Sequence, residues 1–203
     1  MKDMLKNGTV VLDVDQPIWD KVFTVAPLVV IGTKENNAYD LAPKHMASPI
    51  GFNNYFGFIC TPKHATYRNI MEWGEFTVSF PKPDQVIISA LTASPRCDDI
   101  SKSDQIIKAL PTEKAPNIDA LILSDSYLYF ECERYKIIDG FDDNSIITGR
   151  IKSAYVDQDY LRSSERSDQD QIYKHSLLAY IATGRFAEIK ETFEFPFPKD
   201  FKR

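Results

Sequence analysis

The chain has 203 residues, of which 43% are hydrophobic and 26% charged, and its formal net charge is −5 at pH 7. This composition supports one domain with a packed core, spanning residues 1–203, and excludes wholesale disorder. The negative charge argues against binding to duplex nucleic acid or to anionic lipid. No apolar run approaches the roughly 20 residues of a membrane span, and Met1–Asn7 lacks the apolar core of a secretory signal, so we expect a cytoplasmic protein.

Strand-like patterns recur along the chain. Apolar, alternating or β-branched residues predict strands over 9–14, 28–33, 55–60, 76–80, 121–123, 127–138 and 145–156. Prolines make 39–48 a short or irregular strand, and 193–198 an extended tail.

Helical patterns are short. The spacing of apolar residues predicts helices over 65–73, 85–93 and 102–110, with Gly74 ending the first. The polar segment 157–171 is predicted to be an exposed loop or a frayed helix. Many strands with few long helices indicate a mainly β fold, an antiparallel barrel with helical additions.

The sequence contains few features typical of a metal site or a reactive thiol. No CxxC pair occurs, and the cysteines and histidines are widely spaced. Motifs typical of hydrolases, zincins, Walker A loops and dinucleotide folds are absent. Because buried cysteine is usually inert, we expect neither a metal site nor a redox-active thiol at Cys60 or Cys132.

A turn between a strand and a helix carries the chemistry suited to phosphate. Thr61, Lys63, His64, Thr66 and Arg68 cluster there. Hydroxyls, a cation and the N–H groups at a helix N-terminus are what a phosphate monoester requires. Thr66 could equally be only the N-cap of the helix.

The stretch 41–49 is a proline-bounded run of small residues beside Met46. Such a run exposes backbone donors and acceptors at a strand edge. A flat heteroaromatic ring could hydrogen-bond to these groups and lie against Met46. The alternative is a loop packed only for shape.

Together these stretches resemble the flavin reductase-like family, the FMN-binding split-barrel proteins that include flavoredoxin. The resemblance is carried by 40–46, 56–70, 74–81, 128–132, 177–180 and 184–187. It implies a six-stranded antiparallel split barrel, a homodimer, and one FMN per subunit near the dimer interface. Asp40 replaces an asparagine common in the family, so we expect its carboxylate to point away from a bound phosphate.

The resemblance also implies site residues. The backbone of Met46, Ala47 and Ser48 would edge the isoalloxazine ring. The ribityl phosphate would be faced by Thr61, Lys63, Thr66 and Asn69. His175 and Arg185 match late positions of the family pattern and would close the site.

The activity implied is an FMN-dependent oxidoreductase. NADH or NADPH would reduce the flavin, and the electrons would pass to a second flavin, an iron centre or another small-molecule or protein acceptor. Since the flavin itself carries the chemistry, no catalytic side chain is required. Two alternatives stay open: an FMN-containing electron carrier without its own nicotinamide site, as in flavoredoxin, and a cofactor-free binding module that kept the barrel.

Overall fold

Strands dominate the computed structural model, which describes residues 8–93 and 109–197. Twelve strands lie in these ranges: β1 (Val25–Pro27), β2 (Val29–Glu35), β3 (Ala38–Lys44), β4 (Ala47–Pro49), β5 (Tyr55–Cys60), β6 (Glu75–Phe80), β7 (Thr112–Lys114), β8 (Leu121–Leu123), β9 (Leu128–Phe141), β10 (Asn144–Val156), β11 (Leu177–Ile181) and β12 (Arg185–Ile189). The α-helices are α1 (Ala65–Trp73), α2 (Val86–Leu91) and α3 (Asp168–Lys174), and short 3₁₀ turns cover Pro83–Gln85 and Gln158–Tyr160.

The largest sheet curls into an open, split barrel. Its order is β3-β2-β6-β9-β10-β5-β4, and all its neighbouring pairs are antiparallel. The two edge strands β3 and β4 are separated in the chain only by His45 and Met46. Three peptide steps span at most about 11 Å, so the sheet must curl until its two edges approach each other at this point. The predicted antiparallel split barrel is confirmed. Its main sheet has seven described strands, one more than the six expected, because it includes the short edge strand β4.

The interior explains why these segments are strands. β2 lies between β3 and β6, and Val29, Val30 and Ile31 are all fully buried, as its apolar sequence predicts. Pro43 lies in the edge strand β3, where a missing N–H donor is tolerated. Phe58 and Phe76 meet edge to face in the core, with ring centroids 5.6 Å apart. Each such buried ring stabilises the fold by about 2–3 kcal/mol.

Helix α1 is confirmed at its predicted bounds. It packs on β2 and β3 through buried Ile70. It ends at Gly74, whose backbone is left-handed with φ 74° and whose N–H donates to the Ile70 carbonyl at 3.0 Å. A glycine takes this conformation without a Cβ penalty.

Other predicted elements are wrong, only partly confirmed, or outside the described residues. The strand predicted over 9–14 is wrong: the segment is irregular, and Val10, Val11 and Val14 are 72–80% exposed. The helix predicted over 85–93 is confirmed only for Val86–Leu91. The predicted helix 102–110 and Cys97 fall mostly or wholly outside the described residues. The segment 157–171 contains a 3₁₀ turn and the start of α3.

Two smaller sheets complete the described part of the fold. One has the order β1-β11-β12, and the other pairs β7 with β8. The first matters for the site, because it lies against the junction of β3 and β4. Among the described helices, none has the length and apolar character needed to cross a bilayer.

Candidate functional site

The junction of β3 and β4 lies beside the turn that follows β5. The Ile59 N–H donates to the Met46 carbonyl at 2.9 Å, and Ala47 pairs with Phe58. Thr61 follows Ile59 by two residues. The predicted ring edge and the predicted phosphate turn are about 15 residues apart in sequence. The fold brings both to the same end of the pair formed by β4 and β5.

The edge of β4 offers a limited set of backbone groups. The Met46 carbonyl and the Ile50 N–H both bond to β5. Backbone groups alternate in direction along an antiparallel strand, so the N–H and carbonyl of Ala47 point away from β5. The Ser48 hydroxyl donates to the Pro49 carbonyl at 2.9 Å. Ala47, itself only 9% exposed, thus supplies the outward donor and acceptor, and Met46, 52% exposed, lies beside them.

The start of α1 can bind an anion. His64 occupies the N-cap, not Thr66, and in the described part of the chain its side chain makes no capping hydrogen bond. The first turn holds no acidic residue. Its N–H groups have no partner within the helix and carry partial positive charge. The Tyr67 N–H donates to the Cys60 sulfur, which leaves those of Ala65 and Thr66 for a ligand.

Lys63 lies at the rim of this turn. Its Nζ is 2.7 Å from Asp143 Oδ2, in the turn between β9 and β10, and its side chain is 71% exposed. The Lys63 N–H donates to Thr61 Oγ1 at 3.4 Å, and Arg68 Nη1 donates to the Lys63 carbonyl at 2.6 Å. The turn is therefore held by local hydrogen bonds, with its lysine facing solvent.

Thr66 and Asn69 point into the fold. The Thr66 hydroxyl, buried on α1, donates to Asp40 Oδ2 at 3.4 Å. Asn69 Nδ2 donates to Thr33 Oγ1 at 2.9 Å. These bonds attach α1 to β2 and β3. Asp40 itself is 2% exposed and is directed inward, away from the surface of the turn.

The two described cysteines, Cys60 and Cys132, are free and buried. Burial raises the pKa of the Cys60 thiol, although Lys44 opposes that shift. Burial raises the pKa of Cys132 to about 12. Both groups are therefore protonated near neutral pH, and both are almost fully hidden from solvent.

His45 and Tyr180 were missed as site residues by the sequence reasoning. Their rings stack with centroids 4.3 Å apart, so β11 covers the junction of β3 and β4. The Tyr180 hydroxyl accepts from the Gly184 N–H at 2.9 Å. Burial, and then Lys44, lower the pKa of His45. No local pattern links two residues 135 positions apart, so only the fold reveals the pair.

His175 and Arg185, the two late residues of the family pattern, lie near opposite ends of β11. Arg185 pairs with Ile181, next to Tyr180 in β11, so its side chain lies on the face of the sheet opposite the Tyr180 ring. His175 follows α3 at the other end of β11, five residues from Tyr180 and roughly 16 Å away along an extended strand. There its ring meets Tyr160 edge on, with centroids 5.6 Å apart. Within one chain, the structure does not bring His175 to the other predicted site residues.

Metal ligands do not converge in the described ranges: within 8–93 and 109–197, no group of three histidine, cysteine or acidic side chains is arranged to hold an ion. The site consists instead of backbone donors, the exposed cations Lys63 and Arg68, and aromatic cover. This arrangement suits an organic ligand that carries an anionic group.

Comparison with known proteins points the same way. The family model described as "Flavin reductase like domain" matches residues 23–187. None of the curated proteins compared with the chain matches it significantly.

Several solved structures share the fold. A split-barrel protein from Shewanella frigidimarina, assigned as a flavin reductase, superposes with a TM-score of 0.74 at 18% identity, covering 86% of this chain and 87% of that one. Flavoredoxin from Methanosarcina acetivorans gives 0.73 at 17% identity over 93% and 95%. An FMN-binding protein from Thermus thermophilus, with bound 1-cyclohex-2-enone, gives 0.69 at 19% identity over 84% and 90%.

Proposed function

The chain belongs to the family of flavin reductase like domains, and we propose that it is an FMN-binding oxidoreductase that takes electrons from NADH or NADPH. It would pass them to a second flavin, an iron centre or another acceptor. The observation that carries this proposal is the start of α1, with no acidic residue in its first turn, beside the outward edge of β4. One region thus offers donors for a phosphate and an edge for a ring.

The turn fits a phosphate. The N–H groups of Ala65 and Thr66, the Thr61 hydroxyl and the Lys63 ammonium are the donors in reach of one anion there. Thr66 and Asn69 contribute by holding α1 on the sheet, which fixes the direction of those N–H groups. The Asp40 carboxylate points inward, toward the Thr66 hydroxyl, and does not face the surface of the turn.

The edge of β4 fits a flat heteroaromatic ring. Ala47 presents one N–H donor and one carbonyl acceptor, the pair of groups that a flavin pyrimidine edge can match. The exposed Met46 thioether offers a soft apolar surface for the ring face. The stacked rings of His45 and Tyr180 border the same junction and limit its access to water.

FMN, when bound, supplies the acceptor for a hydride from the nicotinamide donor and the carrier for its electrons. The chain itself would bind the flavin and orient it. The N–H of Ala47 would donate to the ring edge. No side chain is needed as a general acid or base.

We also propose that the protein acts as a homodimer. Aromatic side chains project into solvent from the chain: Phe23, Phe52, Phe193 and Phe195 are 70–102% exposed. Exposed apolar surface of this kind is typical of protein interfaces. A second copy would cover these rings, and could bring its own His175 to the site.

An electron carrier without a nicotinamide site is the second candidate. It is favoured by the match to flavoredoxin from Methanosarcina acetivorans, which covers nearly the whole of both chains. In that case a protein partner, and not NADH or NADPH, would reduce the flavin.

The deciding experiment is an anaerobic absorbance measurement on purified protein loaded with FMN. Rapid bleaching of the flavin band by NADH or NADPH supports the oxidoreductase. No bleaching by either donor, with reduction by a protein partner, identifies the carrier. A colourless protein that takes up no added FMN would refute both and leave a cofactor-free binding module.

A further inference from the structure

Two described methionines, Met46 and Met71, are exposed to nearly the same degree. Their exposed fractions are 52% and 49%. The chain has four methionines, and the other two, Met1 and Met4, lie outside the described residues. A reagent in water therefore reaches Met46 and Met71 about equally, although they occupy different places in the fold.

Met46 lies at the proposed flavin edge. Its carbonyl accepts a hydrogen bond from the Ile59 N–H at 2.9 Å, and the next residue, Ala47, presents the outward N–H and carbonyl. The preceding residue, His45, is held by its stack on Tyr180, with centroids 4.3 Å apart. The backbone at Met46 is thus fixed beside the groups that would meet the ring edge, and its thioether is within reach of a ring bound there.

Met71 lies elsewhere, in the last turn of α1. Arg134, on β9, donates from Nη1 to the Met71 carbonyl at 2.9 Å, and the same atom is 3.6 Å from the Met71 sulfur. Six residues of helix place Met71 roughly 9 Å along α1 from its first residue, Ala65. Met71 therefore serves as an internal reference, with similar exposure and no part in the proposed ring edge.

Cysteine, the other sulfur-containing residue, is protected in this region. Cys60 and Cys132 are free, and only 3% and 0% exposed. Burial raises the pKa of both thiols, so the reactive thiolate is scarce near neutral pH. At the junction of β3 and β4, Met46 is therefore the described sulfur-containing residue that an oxidant in water can reach.

Hydrogen peroxide oxidises a thioether by transferring one oxygen atom. An S–O bond forms at Sδ, the O–O bond of the peroxide breaks, and its second oxygen leaves as water. The sulfur loses two electrons, and the peroxide gains them. The product, methionine sulfoxide, is polar and chiral, whereas the thioether was apolar. It no longer offers the soft contact that a thioether makes with an aromatic ring.

We propose that Met46 is an oxidation site through which hydrogen peroxide weakens flavin binding, and that bound FMN in turn shields this residue. The proposal rests on the proposed function, because it takes a flavin ring to lie against Met46. It makes the ring edge a place where oxidant and cofactor compete for one side chain.

The first test measures shielding. The full chain is treated with hydrogen peroxide with and without FMN, and peptide mass spectrometry follows sulfoxide formation at Met46 and Met71 separately. With FMN at ten times its dissociation constant, about one molecule in eleven is free of flavin. Oxidation of Met46 should therefore slow by roughly tenfold, whereas oxidation of Met71 should proceed at the same rate in both samples.

The second test measures the effect on affinity. After the peroxide is removed with catalase, the dissociation constant for FMN should be roughly three- to tenfold higher than in untreated protein. Met46→Leu keeps an apolar side chain that peroxide does not oxidise, so its treated and untreated samples should bind FMN alike. Met71→Leu is the matched control and should show the same peroxide-induced loss of affinity as the wild type.

Equal oxidation of Met46 with and without FMN would overturn the proposal. So would an unchanged FMN affinity after Met46 is oxidised, or the same loss of affinity in Met46→Leu. Either result, in a protein whose untreated form binds FMN, contradicts this inference alone. An untreated protein that binds no FMN contradicts the proposed function.

Discussion

The Nζ atom of Lys63 lies 2.7 Å from Oδ2 of Asp143, so the cation at the start of α1 is already paired with a carboxylate from the β9–β10 turn. Both side chains are more than two-thirds exposed, and an ion pair in water stabilises a fold by little. A phosphate bound at this turn would therefore compete with Asp143 for Lys63 at small cost.

This competition predicts that substitutions of Lys63 and Asp143 change FMN affinity in opposite directions. Lys63→Ala should weaken FMN binding about two- to fivefold, a modest effect because the site is exposed and screened. Asp143→Asn should strengthen binding by a similar factor, because it removes a competing negative charge. Fluorescence titration of FMN at low and high salt measures both, and the difference should shrink at high salt.

Lys152 and Glu133 provide the matched control. They form another exposed ion pair, with Nζ and Oε2 3.2 Å apart, on a different part of the barrel. Lys152→Ala should leave FMN affinity unchanged. Equal dissociation constants for the wild type and Lys63→Ala would show that Lys63 does not contact the phosphate.

The His45–Tyr180 stack predicts a dependence of stability on pH. The pKa of His45 is lowered from 6.5 by burial and by Lys44, so just below pH 6.5 the unfolded chain binds a proton that the folded chain does not. The free energy of unfolding should therefore fall as the pH drops below about 6.5 and stay level above it, as far as this group is concerned. Urea unfolding between pH 7.5 and 5.5 measures the slope.

His45→Phe tests the assignment, because phenylalanine keeps an aromatic ring against Tyr180 and cannot titrate. The variant should lose part of the pH slope, while the remaining histidines contribute equally to both proteins. Parallel slopes in the two proteins would mean that His45 titrates alike in the folded and unfolded chains.

The buried thiols should resist modification. Cys132 is fully buried with its pKa raised to about 12, and Cys60 is 3% exposed with its pKa raised. Native protein treated with iodoacetamide at pH 8 should carry no label at either position, whereas unfolded protein should be labelled at both. Peptide mass spectrometry reads the two sites separately, and fast native labelling at Cys60 would reopen a thiol role in the chemistry.

The tail should stabilise the proposed dimer. Phe193 and Phe195 are 96% and 70% exposed, and burying such rings against a second copy is favourable by about 2–3 kcal/mol each. A chain ending at Thr192 should therefore dimerise at least roughly tenfold more weakly in sedimentation equilibrium. A chain ending at Phe197 keeps the rings and serves as control. Undiminished dimerisation of the shorter chain would place the tail outside the interface.

The sequence predicts the barrel well because its strands carry their own patterns. β2, β5, β6, β9 and β10 all lie where apolar runs or alternation indicate them. The segment 9–14 has the same β-branched character but finds no partner strand, and strand preference depends on such pairing. Its exposed valines are not distinguishable from core valines by sequence alone.

The candidate site is only partly readable from sequence. The turn 61–66 and the edge 46–48 follow from local residue types. The bond between Thr66 and Asp40 does not, because it joins residues 26 positions apart whose burial depends on how α1 packs. The remote position of His175 likewise depends on the path of β11.

The two-residue connection between β3 and β4 holds the two edge strands of the barrel close together and so limits their pairing with other chains. Opening the backbone between His45 and Met46, as in a circular permutant, would let β3 and β4 move apart, while each stays paired with its inner neighbour, β2 or β5. Their unpaired N–H and carbonyl groups would then form templates for strand addition and aggregation. A short tether at this place thus protects solubility as well as shaping a ligand edge.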